Sequence, residues 1–185
     1  MLRKLYCEYV GEVFALYCGQ QLDEVVPKIE VKTRILPLQS LSKEVMGQIT
    51  ELEGYLTFLY QRFVFGSAKT YVALAWAGEK LAHISWIIPQ KKCRKRHSFV
   101  PEKAYMIAAC QTVACFRGNR IFPFVLQQIS LCGPECSEYW IFANDKSLPS
   151  LKGIEKSGAR HVGRYVGNRW FFGILKSIKY YPYES

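Results

Sequence analysis

The chain has 185 residues, of which half are hydrophobic and 15% aromatic, and it carries a formal net charge of +10 at pH 7. These values predict one folded domain with a substantial core and exclude wholesale disorder. No apolar run reaches the roughly 18 residues that a membrane-spanning helix needs. Glutamates interrupt the apolar part of the N-terminus, which argues against a signal peptide, so we expect a cytoplasmic protein.

The seven cysteines are odd in number and lack the paired spacing of a zinc site. They are typical of reduced thiols in a reducing compartment. Cys132 and Cys136 come closest to a metal-binding pair, but no second pair and no suitably spaced histidine accompanies them. We therefore predict that the protein holds no metal.

Much of the positive charge lies in one run, residues 91–97 (KKCRKRH), between Pro89 and Pro101. A solvated loop between two strands is the simplest interpretation of such a run. A polyanionic ligand is the second interpretation. Nucleic acid comes third, because the segment contains one aromatic residue, Phe99, and lacks the alternating stacking platform of single-strand binders.

The first 30 residues allow two interpretations, since their apolar residues would cover one face of a helix but residues 13–18 would equally form a strand. We treat residues 1–30 as an extension that decorates a main domain of residues 31–185. Residues 30–38 alternate apolar and charged side chains, which predicts a strand. Ser40 or Ser42 is expected to cap the following helix.

That helix is predicted from apolar residues that keep helical spacing as far as residue 59, although Gly54 weakens the pattern. Two strand-like runs then flank Gly78-Glu79, and this short spacing predicts an antiparallel hairpin. The basic run leads from the hairpin into the centre of the chain.

The centre comprises residues 104–130. Residues 105–113 are nearly continuously apolar, as in a strand buried on both faces. A polar turn with one glycine and two cations follows, and then a helix, which begins at about Ile121 because Pro123 is tolerated only in a first helical turn. The unpaired amides and the positive end of the helix dipole face the same space, so this turn predicts an anion-binding site.

Residues 137–143 predict another short strand, rich in aromatic residues. Ser150 is expected to cap a helix that ends at Gly158, a natural left-handed terminator. Two further runs flank Gly167-Asn168, which predicts a second hairpin with its turn at these two residues.

The segment from Thr112 to Ile121 (TVACFRGNRI) resembles the acyl-CoA-binding motif of the GNAT superfamily of N-acetyltransferases, whose core reads Arg/Gln-x-x-Gly-x-Gly/Ala. Arg117 matches the first position of this core, and Gly118 matches the glycine that directly follows it in the longer motif, Val-x-x-x-(aromatic)-Arg-Gly-x-Gly-(apolar)-Gly. Arg120 and Phe122 replace the two later glycines. In the family, backbone N–H groups of this loop hold the pyrophosphate of coenzyme A. The resemblance implies these cofactor-binding residues: Thr112, Val113, Arg117, Gly118, Asn119, Arg120, Ile121 and Phe122.

A second segment, residues 150–158 (SLKGIEKSG), resembles the helix near the end of GNAT sequences, which follows an Asn-x-x-Ser/Ala motif. Ser147 occupies the aligned Asn position and Asn144 lies three residues earlier, and either residue would reach the pantetheine arm. The predicted order of elements reproduces the GNAT layout from about residue 31 to 177. It implies an α/β fold with a mixed, mostly antiparallel sheet, flanked by helices and splayed at its central parallel strands.

The resemblance implies an N-acyltransferase that uses acetyl-CoA or another acyl-CoA and modifies a primary amine of a small molecule. The aromatic residue at position 122 resembles family members linked to bacterial surface polysaccharide, which suggests an amino sugar or a nucleotide-linked amino sugar as acceptor. Two other classes stay open: a non-catalytic acyl-CoA-binding module and a basic nucleic-acid-associated protein. A homodimer is also left open.

The acid and base are harder to predict, because the tyrosine that the family often uses is replaced by Ile154. His83 is a catalytic candidate, since histidine titrates near working pH, but a hydrogen-bonded core histidine fits equally. Cys110 is a second candidate, with a buried inert thiol as the alternative. A backbone N–H near Val113 would polarise the thioester carbonyl. Two carboxylates would act through a bound water: Glu102 and Glu138.

Overall fold

The computed structural model describes residues 6–19, 22–93, 97–170 and 174–183. Within these residues the strands are β1 (Tyr6–Tyr17), β2 (Lys32–Pro37), β3 (Tyr71–Ala77), β4 (Lys80–Pro89), β5 (Tyr105–Thr112), β6 (Glu138–Asn144), β7 (Arg160–Trp170) and β8 (Ile174–Pro182). The helices are α1 (Lys43–Glu53), α2 (Tyr55–Phe65), α3 (Gln90–Cys93), α4 (Ile121–Cys132) and α5 (Leu148–Lys156). No helix in the described ranges is long and apolar enough to cross a membrane.

The strands form one sheet in the order β2-β3-β4-β5-β6-β1-β7-β8. All neighbouring strands run antiparallel except β5 and β6, which are parallel. Helices α1 and α2 pack against one face of this sheet around the buried Trp86, and α4 packs against the other face through Val125 and Ile129. The predicted mixed, mostly antiparallel sheet flanked by helices is confirmed.

The sheet opens between its two parallel strands. Their pairing ends at Ile107 and Ile141, although β5 continues to Thr112 and β6 to Asn144. Between Trp86 and Ile84, one residue of β4 faces two residues of β5, and Ala109 in this bulge has a positive φ of 49°. Since a bulge bends a strand and ends regular pairing, it helps to turn β5 away from β6. The predicted splay is therefore present.

Strand β1 lies in the N-terminal stretch that was predicted to be an extension, and it is part of the central sheet. It lies inside the sheet, where it pairs with β6 on one side and with β7 on the other. Of the two predicted alternatives, the strand applies, and Val13, Phe14 and Leu16 are fully or almost fully buried. The domain boundary at residue 30 stays a prediction, but the sheet is continuous only because β1 fills the position between β6 and β7.

A buried carboxylate, Glu12, forms hydrogen bonds between β1 and the neighbouring part of the sheet. Glu12 is 8% exposed and accepts hydrogen bonds from His161 Nε2 at 2.9 Å, Arg164 Nε at 3.0 Å and the Tyr183 hydroxyl at 3.2 Å. Burial alone would raise the pKa of Glu12, but the hydrogen bonds and the Arg164 charge outweigh it, so the pKa lies below its ordinary value. The carboxylate therefore links β1 to β7 and to the last described residues.

The predicted single helix over residues 45–59 is two helices. Gly54 has a φ of +85°, which ends α1 and sets α2 at a new angle. Ser42, and not Ser40, caps α1, since its hydroxyl accepts the Val45 amide at 3.2 Å. The helical period does not continue across the break, and α2 leaves several apolar side chains exposed: Tyr55, Leu56, Leu59, Tyr60 and Phe63.

The second hairpin also differs from the prediction. Strand β7 runs straight through Gly167-Asn168 and ends at Trp170, and its pairing with β8 has only a register shift beside Asn168. Residues 171–173, which connect the two strands, lie outside the described residues. The first hairpin is confirmed, because β3 and β4 join at Gly78, whose φ is +61°. Within the basic run, Lys91 and Lys92 are exposed and 94–96 lie outside the described residues.

Candidate functional site

A cavity of about 560 Å³ lies where β5 ends, between the first turn of α4 and the helix α5. Four cationic side chains line it: Arg117, Arg120, Lys152 and Lys156. No carboxylate stands among the described residues that line this cavity. Several positive charges on the wall of one concave site attract anions strongly. The cavity therefore suits a ligand with several negative charges.

The turn before α4 leaves several backbone amides without a hydrogen-bond acceptor in the described residues. After β5 the chain makes one 3-10 turn over residues 114–116, and α4 then begins at Ile121, as predicted. The amides of residues 118–122 donate to no acceptor in the described part of the chain. Unpaired amides at the positive end of a helix dipole bind anions, and here they stand beside the cationic wall.

Arg117 is fixed by the strand that precedes it. Its Nε donates to the Thr112 carbonyl at 3.1 Å, which holds the guanidinium at the mouth of the cavity. Asn119 has a structural part in the same turn: its Nδ2 donates to the Phe116 carbonyl at 3.1 Å, and its own carbonyl accepts the Lys28 amide at 3.0 Å. The turn is thus held from both sides before any ligand binds.

Arg120 stands where the family motif has a glycine, and its backbone shows why glycine is favoured. Its φ of 60° and ψ of 20° are left-handed, a conformation that costs a residue with a Cβ atom about 1–2 kcal/mol. The chain therefore keeps the left-handed backbone of the glycine motif at Arg120. The arginine adds a positive charge to the cavity wall, and its backbone is strained.

We expect Arg120→Gly to raise the free energy of unfolding by about 0.5–1 kcal/mol, since relief of strain exceeds the extra freedom of glycine in the unfolded chain. Urea denaturation measures this change. Arg117→Gly is the matched control, because Arg117 has an ordinary φ of −64° and the same substitution there should destabilise the protein. Equal destabilisation by both variants would contradict the strained conformation of Arg120.

Phe122 replaces the last glycine of the motif without filling the cavity. Its ring lies against Gly153 of α5, where an added Cβ atom would stand 2.7 Å from the Phe122 ring. On its other side the ring packs against His83, with 5.6 Å between ring centroids. The missing side chain at Gly153 thus makes room for Phe122, and the aromatic ring forms part of the cavity wall.

His83 lies one layer beneath that wall and is fully buried. Its Nδ1 is 2.7 Å from the Thr112 hydroxyl and its Nε2 is 2.8 Å from the Ser85 hydroxyl. Burial lowers the pKa of His83 to about 3. The imidazole is therefore neutral at pH 7, and both of its nitrogens are engaged.

Cys110 lines the cavity itself, at the bulge of β5. Burial raises the pKa of its thiol to about 11, more than the hydrogen bond with Ser85 lowers it. The group is a protonated thiol at pH 7, so it is no nucleophile in this state. Ser85 connects Cys110 to His83 in one chain of polar groups.

The structure brings most of the predicted site residues to one cavity. Its wall includes Cys110, Thr112, Arg117, Gly118, Arg120, Ile121, Phe122 and Ser147. Four predicted residues do not line it: His83, Val113, Asn119 and Asn144.

Two of these four residues form hydrogen bonds with backbone groups outside the cavity. The Val113 amide donates to the Ala82 carbonyl at 2.9 Å, so this amide is not free for a ligand, and the role of a backbone N–H near Val113 in polarising a thioester stays a prediction. Asn144 Oδ1 accepts the Lys146 amide at 3.0 Å and shapes the turn before α5. Ser147, the N-terminal capping residue of α5, lines the cavity instead. The predicted cap Ser150 lies inside that helix, where its hydroxyl accepts from Ser147 Oγ at 2.8 Å.

Lys152 and Lys156 are the site residues that sequence reasoning missed. They stand four residues apart on α5, and this spacing places them on one face of the helix. This spacing could have predicted a positively charged face on α5, but it does not show that the face is directed towards α4. The packing of Gly153 on Phe122 provides that orientation.

Glu53 is a second group that the sequence did not single out. It is the last residue of α1, is 9% exposed, and accepts the Trp86 indole N–H at 3.1 Å through Oε1. Its Oε2 is buried without a hydrogen-bond partner in the described residues. Burial raises the pKa of Glu53 to about 7, against the opposing effect of the Trp86 hydrogen bond. The carboxyl lies on the face of the sheet opposite α4.

The described residues contain no group of three or more histidine, cysteine or acidic side chains placed to hold a metal ion. No protein-family model matches the sequence, and a search of curated proteins finds no match. Solved structures do match. An acetyltransferase from the GNAT family of Colwellia psychrerythraea superposes with a TM-score of 0.56 at 11% identity, over 88% of this chain and 57% of that chain. The chain has the GNAT fold.

Two further solved structures superpose on this chain, and one of them is a GCN5-related protein. A GCN5-related N-acetyltransferase-like protein from Streptococcus suis gives a TM-score of 0.53 at 12% identity, over 91% of this chain and 64% of that chain. A conserved protein of unknown function from Staphylococcus epidermidis gives 0.55 at 11% identity, over 90% and 63%. The chain thus spans less than two thirds of each of these three structures, and at this identity the likeness shows the fold alone.

Proposed function

We propose that this protein is an acyl-CoA-dependent N-acyltransferase, with acetyl-CoA as its acyl donor and a primary amine as its acceptor. The observation that carries this proposal is the cavity lined by four cations at the amino end of α4, beside the gap in the sheet. Coenzyme A carries its negative charges at one end and an amide-rich arm at the other. The cavity and the gap offer a matching surface for each part.

The phosphates would be bound by the amides of residues 118–122 together with Arg117, Arg120, Lys152 and Lys156. Charge-assisted hydrogen bonds of this kind are about twice as strong as neutral ones. The arm would extend along β5 and β6 beyond Ile107 and Ile141, where the strands leave backbone groups unpaired with each other. Ser147 lines the path from the cavity along α5.

The donor supplies an activated thioester carbonyl, which the free amine attacks to form an amide while the thiolate of coenzyme A departs. One proton leaves the amine and one reaches the thiolate, so the reaction is balanced without a redox partner. We propose that Cys110, on the cavity wall, contacts the thioester, that His83 positions Cys110 through Ser85, and that neither group transfers a proton at neutral pH. The pKa values of about 3 for His83 and about 11 for Cys110 keep both groups uncharged there.

From this role we expect Cys110→Ser to keep the affinity for acetyl-CoA and to lower kcat less than tenfold, with no shift in the pH profile, because serine is also a small neutral donor. Calorimetry gives the affinity and release of free thiol gives the rate. Cys115→Ser, at an exposed cysteine outside the cavity wall, is the matched control. A pH profile displaced by a unit or more would show that Cys110 itself titrates in the reaction.

The acceptor is tested with a panel of amines, and the predicted amino sugars and nucleotide-linked amino sugars belong at its centre. Thiol release with one of them would establish the transferase and its acceptor class. Binding of acetyl-CoA without release on any amine would instead favour the non-catalytic module, and the absence of binding would overturn the proposal. The polysaccharide link, the cytoplasmic location and the homodimer stay predictions.

A further inference from the structure

Two cysteines far apart in the sequence meet at the end of the sheet opposite the cationic cavity. Cys18 Sγ and Cys136 Sγ are 3.3 Å apart, and 118 positions separate the two residues in the chain. Both side chains are partly buried, and Cys136 Sγ also contacts the Glu138 carbonyl oxygen at 3.4 Å. This pair takes no part in the proposed transfer reaction.

The backbone holds the two thiols in this position. Cys18 follows β1 directly, Cys136 lies two residues before β6, and these strands pair from Tyr17 and Glu138 onwards. The Cys18 amide donates to the Ser137 carbonyl at 3.3 Å, which extends the pairing to the cysteines. Because a disulfide needs sulfurs about 2.05 Å apart, the two atoms must approach by roughly 1.3 Å, which side-chain rotation provides.

A second cavity, of about 620 Å³, leads to this pair. Cys136 and Ser137 line it together with three lysines, Lys69, Lys91 and Lys103. The cavity opens at Tyr105, where β5 begins, whereas the cationic cavity lies at Thr112, where β5 ends. Small oxidants therefore reach Cys136 without passing through the proposed acyl-CoA site.

We propose that Cys18 and Cys136 form a redox-active dithiol, which hydrogen peroxide closes to a disulfide between β1 and β6. One thiol is oxidised to a sulfenic acid with release of water, and the other thiol displaces a second water as the S–S bond forms. Two thiols and one peroxide thus give one disulfide and two waters. Burial raises the pKa of the Cys136 thiol, so this thiol reacts with peroxide more slowly than an exposed cysteine.

Closure has a defined structural effect. The bond closes a long loop and fixes β1 to β6 at the end where Glu12 does not already hold β1. Since a cross-link over such a loop restricts the unfolded chain, we expect the melting temperature to rise by about 5–10 °C. The affinity for acetyl-CoA should stay the same, because the two cavities lie at opposite ends of β5.

The test treats the whole protein with hydrogen peroxide, blocks free thiols with N-ethylmaleimide and digests it after glutamate. This cleavage gives peptides 13–24 and 136–138, and each contains a single cysteine. The expected product is these two peptides joined, with a mass two daltons below their sum. Linked peptides from other cysteine pairs, or sulfinic acids in place of a link, would overturn the proposal.

Two variants sharpen the result. Cys18→Ser should lose both the linked peptide and the rise in melting temperature, whereas Cys132→Ser, which removes an exposed cysteine near Cys136 in sequence, should keep both. The wild-type digest decides the proposal even where a variant folds poorly. An equal rise in melting temperature in Cys18→Ser would also contradict it. The inference does not depend on the transferase proposal, which the acetyl-CoA titration tests separately.

Discussion

Replacing Arg117 and Arg120 together by alanine is expected to weaken acetyl-CoA binding about 100-fold, which corresponds to about 2.7 kcal/mol. Each guanidinium lines the cavity at the start of α4 and can form charge-assisted hydrogen bonds with a phosphate. Losing two such bonds accounts for an effect of this size. Isothermal titration with acetyl-CoA at fixed ionic strength measures it.

The matched control is Lys91→Ala with Lys92→Ala, which removes the same charge from exposed positions that do not line this cavity. A loss below about threefold is expected there, because only the long-range attraction changes.

Since Arg117 also supports the turn through Thr112, a melting curve must show that the double variant is folded. Lys152→Ala with Lys156→Ala provides an independent pair, since the side chains of these two lysines form no hydrogen bond or ion pair in the described residues. Equal loss in the Lys91 and Lys92 control would contradict a localised phosphate site.

Glu53→Gln is expected to stabilise the protein by about 2 kcal/mol at pH 8.5 and to leave its stability almost unchanged at pH 4.5. The folded carboxyl has a pKa of about 7, above the ordinary 4.5 of the unfolded chain. Between these values the folded state keeps a proton that the unfolded state has lost, so wild-type stability falls as the pH rises. Above pH 7 a buried charge remains without a cation. Glutamine keeps an oxygen for Trp86 and carries no charge.

Urea denaturation at both pH values measures this difference. The control is Glu51→Gln on the same helix, where the side chain is exposed and the two proteins should differ little at either pH. A stability difference between Glu53→Gln and the wild type that stays constant from pH 4.5 to 8.5 would mean that Glu53 has an ordinary pKa. That result would contradict the description of Glu53 as a buried carboxyl with one oxygen lacking a hydrogen bond.

Local chemistry made several elements predictable from the sequence. Gly78 marks the first hairpin because a tight turn needs a positive φ there. Pro123 fixes the start of α4 to within a few residues because it lacks an N–H. Ser42 caps α1 through its hydroxyl. In each case the decisive interaction lies within a few residues of the chain.

Non-local pairing accounts for the structural predictions that failed. The apolar residues of β1 fit a helix or a strand equally, and their partners in β6 and β7 lie more than 120 residues away. Gly167-Asn168 has the composition of a turn, yet the ladder with β8 keeps both residues extended. Such outcomes depend on which strands meet, and no local pattern contains that information.

The candidate site shows the same division. The turn before α4 was predictable, because Arg117, Gly118 and Pro123 have defined backbone roles over a short span. The contribution of α5 was not, because Lys152 and Lys156 reach the cavity only when Gly153 packs on Phe122. Nor was Glu53, whose burial under Trp86 joins residues 33 positions apart.

The most direct test of the proposed function compares two ligands on the wild-type protein by isothermal titration. Acetyl-CoA carries the phosphates and S-acetylpantetheine carries only the arm and the thioester. If the cationic cavity at α4 binds the phosphates, acetyl-CoA should bind about 100-fold more tightly or better, and added salt should reduce the difference. Equal affinity for the two ligands, or no binding of acetyl-CoA, would contradict the account.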